Sequence, residues 1–260
     1  MKVVVKFGGA VLEDAAALDR CARAVSELAD LHQVVVVHGG GGALTRTLAR
    51  MGKTSEFVDG LRVTDAETRD VALMVLAGAV NKAMVAALAR VGQPALGLCG
   101  GDGLAFRARK KKANGHDLGY VGEICGVEPR WLDAIWNGGA VPVVSSLALG
   151  HDGQYYSINA DQMAAACAIG WQANALIFIT DVAGVKDSDG SVIRWLHAGR
   201  IAGLRRDAVI AGGMLPKLEA CQQALDRGVP RVRILPASHV DTLPQFYVTR
   251  IDHGTEVLAA

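Results

Sequence analysis

Neither of the standard phosphate-binding signatures is present in this sequence. A P-loop needs G-x-x-x-x-G-K-[ST] after a strand. Gly52-Lys53-Thr54 supplies its second half, but Thr47 stands where the first glycine belongs, and a helical stretch precedes it. The dinucleotide fingerprint G-x-G-x-x-G fails too, because Leu44 and Thr45 occupy the positions its third glycine would take. That speaks against a NAD-dependent dehydrogenase. Cysteine is sparse: Cys21, Cys99, Cys125, Cys167 and Cys221 make no C-x-x-C pair and have no histidine at zinc spacing. They read as reduced packing residues of a cytoplasmic protein. An excess of one charge is missing as well. With 27 Lys and Arg against 26 Asp and Glu, the chain has no overall attraction for nucleic acid or an anionic membrane. No apolar run reaches membrane-spanning length. Met1-Lys2 leads directly into a strand, so no signal peptide is expected. Linkers, low-complexity tracts and carboxylate-rich metal motifs are also lacking.

What is present is 260 residues, 51% of them apolar, enough for a large core in one α/β unit or two lobes. The chain is organised around His38-Gly39-Gly40-Gly41-Gly42. The β-branched run Val34–Val37 before it predicts a buried strand, and Leu44 and Leu48 after it share a helix face. Strand, glycine loop and helix together point backbone N–H groups and a helix dipole at one spot, where an anion fits. Four consecutive glycines cost too much chain entropy to be only a tight turn.

Other candidates follow the same logic. Lys6 ends the first predicted strand and is followed by Gly8-Gly9. Ala17, Cys21, Val25 and Leu28 lie on one stripe of the helix predicted over Asp14–Leu31. Asp59-Gly60 marks a turn, and Arg62 precedes a capping box of Thr64 and Glu67 opening a helix of roughly 25 residues. A guanidinium there suits a carboxylate clamp or is a surface arginine. Phe106–Lys112 and Tyr120–Cys125 read as a hairpin connected through Asn114-Gly115. Arg107, Arg109 and Lys110–Lys112 form the basic cluster, without the interleaved aromatics a nucleic-acid surface needs. Asp161 starts a helix, as a cap or as a charge facing a site. Asp181 to Gly184 closes another strand, and Gly212-Gly213 opens the last long helix. Lys217 in that helix's first turn is at the wrong end for a cation unless an anion sits beside it. Strands and helices alternate, which predicts an α/β fold with a mostly parallel sheet and helices on both faces. The candidates gather at strand C-termini and helix N-termini, where such sheets build sites.

These residues resemble the amino-acid kinase family nearly end to end. The pieces are Lys6-Phe7-Gly8-Gly9, His38-Gly39-Gly40-Gly41, Asp59–Thr64, Asn81-Lys82, Pro142–Ser146, Asn159-Ala160-Asp161, Thr180–Val185, Gly212-Gly213-Met214 with Lys217, and Gly254–Val257. Each is weak alone; their order and spacing are specific. Within the family the resemblance is greatest to members that phosphorylate N-acetyl-L-glutamate. It implies a three-layer α/β sandwich with two lobes. The N-terminal lobe, about residues 1–170, would hold the substrate and form a homodimer. The C-terminal lobe, about 171–260, would hold ATP, with Mg²⁺ carried by the nucleotide. Lys6 and Lys217 would flank the transferring phosphoryl group, Asp161 would hold both ammoniums, and the N–H groups of Gly9 and Gly40 would bind phosphoryl oxygens. Gly40, Gly41, Arg62, Ser157 and Asn159 would face the substrate. Asp181, Val182, Gly184, Val185, Lys186, Gly212, Gly213, Met214 and Lys217 would line the nucleotide.

One position departs from the family. Ser157 stands where an asparagine usually contacts the substrate's α-carboxylate and amide. Losing such a contact costs about 1–3 kcal/mol where a partner is left buried and unpaired. The family's arginine-inhibited hexamers carry a helix ahead of the first strand; without it, an arginine-insensitive dimer is expected. A related kinase acting on a carrier-bound aminoadipate is the nearest rival, its acidic carrier meeting the basic hairpin. A catalytically dead sensor is the other, opposed by the presence of Lys6, Asp161 and Lys217.

Overall fold

The computed structural model describes residues 1–260 apart from 113–116, 208, 211, 246, 248–252 and 260. β1 (Lys2–Phe7) leads through α1 (Gly9–Glu13) and α2 (Ala15–Ala29) to β2 (Gln33–His38) and α3 (Gly41–Arg50). Asp14 caps α2, accepting from the Ala17 N–H at 2.8 Å. A short hairpin, β3 (Phe57–Val58) and β4 (Leu61–Arg62), turns at Asp59-Gly60. α4 (Ala66–Ala72), a π-helical segment (Leu73–Val80) and α5 (Asn81–Arg90) then run as one helix to β5 (Ala95–Leu98). Next come β6 (Phe106–Lys110), β7 (Gly122–Val127), α6 (Arg130–Asn137), β8 (Val141–Ser145), β9 (Leu147–Gly150), β10 (Tyr155–Ser157) and α7 (Ala160–Gly170). The chain closes with β11 (Ala175–Thr180), β12 (Trp195–His197), α8 (Ile201–Arg206), α9 (Met214–Asp226), β13 (Val232–Pro236) and β14 (Thr255–Leu258).

Among the described residues, eight strands form the central sheet in the order β12-β14-β13-β11-β1-β2-β8-β5. It is parallel except where β14 meets β13 antiparallel. Strand alternation divides its side chains between two cores. Val3, Val5, Val34 and Val36 pack with Cys21, Val25 and Leu28 of α2 and Met84 and Leu88 of α5. Val4, Val35, Val37 and Phe178 pack on the other face with Met163 and Ala164 of α7 and Leu218 and Cys221 of α9. Parallel strands covered by helices on both faces are apolar throughout, which is why β1 and β2 read as continuous valine runs. A second, four-stranded sheet has the order β10-β9-β6-β7, in which only β6 and β9 pair parallel.

Several expectations are corrected. Asp65, not Thr64, caps α4, accepting from the Thr68 N–H at 2.8 Å. The Thr64 hydroxyl donates instead to the Arg62 carbonyl (2.9 Å), and Glu67 accepts from Lys53 (2.8 Å). The aspartate that follows Thr64 competes for the cap and wins. α1, β9, β12 and α8 are short elements without a sequence signal. The Asn114-Gly115 connection lies outside the described residues, although β6 and β7 do pair antiparallel. The helix Ala66–Arg90 is, by length and composition, apolar enough to cross a membrane. Its inner face packs in the protein, with Met84, Ala87 and Leu88 fully buried. Four of the cysteines are buried, while Cys125 is exposed on β7.

Candidate active site

Parallel strands that end together bring their loops together. β1 and β2 pair with Phe7 opposite His38, so Gly8-Gly9 and Gly39-Gly40 leave the sheet side by side. The Gly8 N–H donates to Ile179 O (3.1 Å) and the Gly39 N–H to Phe7 O (3.3 Å), which holds both loops on the strand ends. A Cβ at Gly9 would stand 3.6 Å from the backbone nitrogens of Gly40 and Gly41. The first N–H groups of α3 have no carbonyl a turn earlier to accept them.

Gly40 needs to be glycine. Its φ is +148°, and a Cβ would sit 2.7 Å from the Leu76 side chain. Gly40→Ala is therefore expected to lower stability by about 2–4 kcal/mol, from backbone strain plus overpacking. Gly41, where a Cβ meets nothing within 4 Å, is the control. There Gly41→Ala should change stability by no more than about 0.5 kcal/mol. Equal denaturation midpoints for the two variants would refute this account of the loop.

The charged centre joins three elements. Asp161 Oδ1 lies 2.7 Å from Lys6 Nζ at the end of β1 and 2.9 Å from Lys217 Nζ in the first turn of α9. All three side chains are buried. Asp161 itself is in the first turn of α7, whose N-cap is Asn159, accepting from the N–H groups of Asp161 (2.9 Å) and Gln162 (3.2 Å). Asp161 is thus free of capping duty, and Lys217 has its anion. Burial pushes the Lys6 ammonium below the usual lysine range, partly offset by Asp161. Burial also raises the Asp161 carboxyl, but the two ammoniums more than offset this and hold it below the usual carboxylate range. The arrangement is two cations sharing one anion: a net positive, desolvated spot beside the glycine loops.

Arg62 reaches the same loop. It donates to Gly41 O (3.1 Å), Thr45 Oγ1 (2.8 Å) and Ser55 Oγ, with its guanidinium 4.6 Å above the Phe57 ring. Ser157 is half-buried at the end of β10, its N–H donating to Tyr120 O (2.9 Å). Asn159 lines the main cleft, but its side-chain carbonyl is committed to the cap, so only its amide NH₂ remains for a ligand.

That cleft encloses about 860 Å³ and runs from the β3–β4 turn past Asp161 to Gly212 and Gly213 ahead of α9. Lys111, Lys112, Arg205 and Glu219, which the sequence did not single out for this cleft, also line it. The rest of the basic hairpin is partly neutralised: Arg109 pairs with Glu123 (2.6 Å) and Lys110 with Asp117 (2.7 Å). The predicted nucleotide residues do not all converge. Asp181 borders a separate cavity of about 330 Å³ with Ala183, Arg194 and His239. Val185 is fully buried and its N–H donates to Thr255 Oγ1 (2.9 Å), which makes it a core residue. Val182 and Lys186 are exposed, and Met214 begins α9.

Comparison with known proteins points one way. The sequence profile described as the amino acid kinase family matches residues 1–236. The chain is 60% identical to the acetylglutamate kinase of Acidobacterium capsulatum, over 100% of each chain. It is 52% identical to that of Koribacter versatilis, over 100% of this chain and 99% of the other. Among solved structures, N-acetylglutamate synthase from Neisseria gonorrhoeae, complexed with coenzyme A and N-acetyl-glutamate, superposes with a TM-score of 0.87 at 27% identity. That match covers 99% of this chain and 59% of the synthase.

Proposed function

Because the chain belongs to the amino acid kinase family, we propose that it transfers the γ-phosphoryl group of ATP to the side-chain carboxylate of N-acetyl-L-glutamate, an arginine-biosynthesis step. The observation that carries this reading is the single carboxylate of Asp161 holding Lys6 and Lys217 beside Gly9 and Gly40. Phosphoryl transfer needs positioning and charge neutralisation rather than a covalent nucleophile. The acceptor carboxylate is ionised at neutral pH, so no general base has to activate it. One of its oxygens forms a bond to the γ-phosphorus as the bridging P–O bond breaks, and ADP leaves with the electron pair. The obstacle is the approach of two anions. Lys6 and Lys217 neutralise the transferring group, Asp161 fixes both, and the N–H groups of Gly9 and Gly40 bind its equatorial oxygens.

Gly40, Gly41, Arg62, Ser157 and Asn159 hold the substrate from the N-terminal lobe. The C-terminal lobe, through the exposed residues of Asp181–Lys186 and the start of α9, holds ATP, with Val185 contributing only to the core beneath. Magnesium is part of the MgATP substrate. Asp161 Oδ1 is held by both ammoniums. The same reading makes the protein a cytoplasmic homodimer.

The test is ATP-dependent acyl phosphate formation with N-acetylglutamate, trapped as the hydroxamate, for the wild type and Ser157→Asn. Turnover by the wild type is expected, with Ser157 tolerated. Recovery only in the asparagine variant would mean that the natural acceptor differs. Silence in both would refute the acetylglutamate assignment.

A further inference from the structure

Two buried polar side chains beneath the glycine loop have no part in the chemistry above. His38, at the end of β2, and Asn81, at the start of α5, are both fully buried and 43 residues apart in sequence. His38 Nδ1 is 2.7 Å from Gly39 O, and its Nε2 is 3.0 Å from Asn81 Nδ2. Asn81 Nδ2 also donates to Val143 O at 2.9 Å. An amide nitrogen only donates, so Nε2 is the acceptor and the proton sits on Nδ1, donating to Gly39 O. Burial agrees with a neutral ring, lowering the His38 pKa to about 4.

Asn81 is itself held. Its Oδ1 accepts from Lys82 Nζ (3.3 Å), which also donates to Gly97 O (3.1 Å). A side chain at Gly97 would run into the Asn81 amide. The wide π-helical turns Leu73–Val80 set the phase at which Asn81 meets His38, and they bring Leu76 and Val80 under Gly40. Such widened turns recur at functional sites.

A trans peptide is planar, so its C=O and N–H point to opposite sides. Gly39 O and the Gly40 N–H belong to one peptide. Pinning the carbonyl toward His38 turns the N–H away from His38, and a Cβ built on Gly9 would stand 3.6 Å from that nitrogen, so the neighbouring glycine loop leaves room beside it. We propose that Asn81 and His38 form a positioning relay that aims the Gly40 N–H at the transferring phosphoryl group. This role rests on the phosphotransfer reading above. The Gly40 carbonyl is occupied separately, by the Leu44 N–H at 3.0 Å, so the relay acts on the one peptide the helix does not fix.

The test compares His38→Leu, His38→Asn and His38→Gln. An asparagine nitrogen takes the Nδ1 position and can still donate to Gly39 O; a glutamine amide reaches the Nε2 position only. His38→Leu and His38→Gln are expected to lower kcat at least about tenfold, less than outright removal of an oxyanion donor, while KM for both substrates stays within about twofold. His38→Asn should keep kcat within about threefold of wild type. In ¹H–¹⁵N spectra of the ligand-free proteins, the Gly40 amide should move or broaden with leucine and glutamine and stay near its place with asparagine. Should His38→Leu fail to fold, His38→Gln carries the comparison. An unchanged kcat and an unmoved Gly40 amide would overturn the relay, as would asparagine failing as badly as leucine, or KM rising in step with the fall in kcat. If the wild type itself does not phosphorylate acetylglutamate, the functional reading fails and the Gly40 amide alone decides whether the relay exists.

Discussion

Asp161→Asn is expected to lower kcat by about 10²–10³-fold or more and stability by about 3–5 kcal/mol. The wild-type carboxylate compensates two buried ammoniums at 2.7 and 2.9 Å. Asparagine keeps an oxygen for them but no charge, so two cations are left facing each other out of water. Breaking a buried pair by removing one partner is costly for this reason. The pH dependence has a definite sign. The folded-state pKa of Asp161 lies below the ordinary value of 3.8. Its contribution is therefore fully present above that value and is lost as pH falls through the folded-state pKa. Urea denaturation of both proteins from pH 7 down to pH 2 checks this. The gap between them should be flat to about pH 4 and then close. A gap that widens on acidification would show the carboxylate is not the compensating group.

Lys6→Met should separate the two quantities. The variant leaves the Asp161–Lys217 pair at 2.9 Å and removes the cation whose charged form burial disfavours. Stability is expected to stay within about 1 kcal/mol of wild type or to rise, because replacing a buried ion by an apolar side chain of similar length relieves desolvation. The kcat should still drop about 10²–10³-fold, since a charge aimed at the transferring phosphoryl is gone. A variant that is both unstable and inactive would make Lys6 a structural residue. One that remains active would remove it from the phosphoryl site.

How much of this was legible in sequence depends on the range of the interaction that decides each feature. β1, β2 and β11 were readable because a strand covered on both faces has to be apolar throughout. The Gly40 turn was readable because its φ of +148° and the Leu76 side chain beside it leave no place for a Cβ. The cap of α4 was misplaced by one residue, since Thr64 and Asp65 are both competent and local geometry chose Asp65. β12 and α8 were missed because each is short and takes its order from neighbours, β12 from pairing with β14. In the site, Lys6, Asp161 and Lys217 could be suspected singly from their places at element ends. Their sharing of one oxygen atom is a tertiary fact. The His38–Asn81 contact left no trace in spacing, and Val185, which the resemblance places at the nucleotide with its segment, has its side chain in the core.

The strand order also constrains how the chain can be made. β1 holds the middle of the sheet, between β2 and β11, and pairs with β11 from Val3↔Ala175 to Phe7↔Ile179. During synthesis β2 is available almost at once, whereas the other neighbour is translated some 170 residues later. Until then the nascent protein carries one bare edge, along the five residues that will pair with β11, on a run of valines, the kind of edge that recruits other strands. The first 170 residues therefore do not make a finished sheet. Once the strand that ends in Thr180 pairs with the first one, its own far edge stays open until Val232–Pro236 is made, so the exposed edge moves outward through the sheet as the chain lengthens.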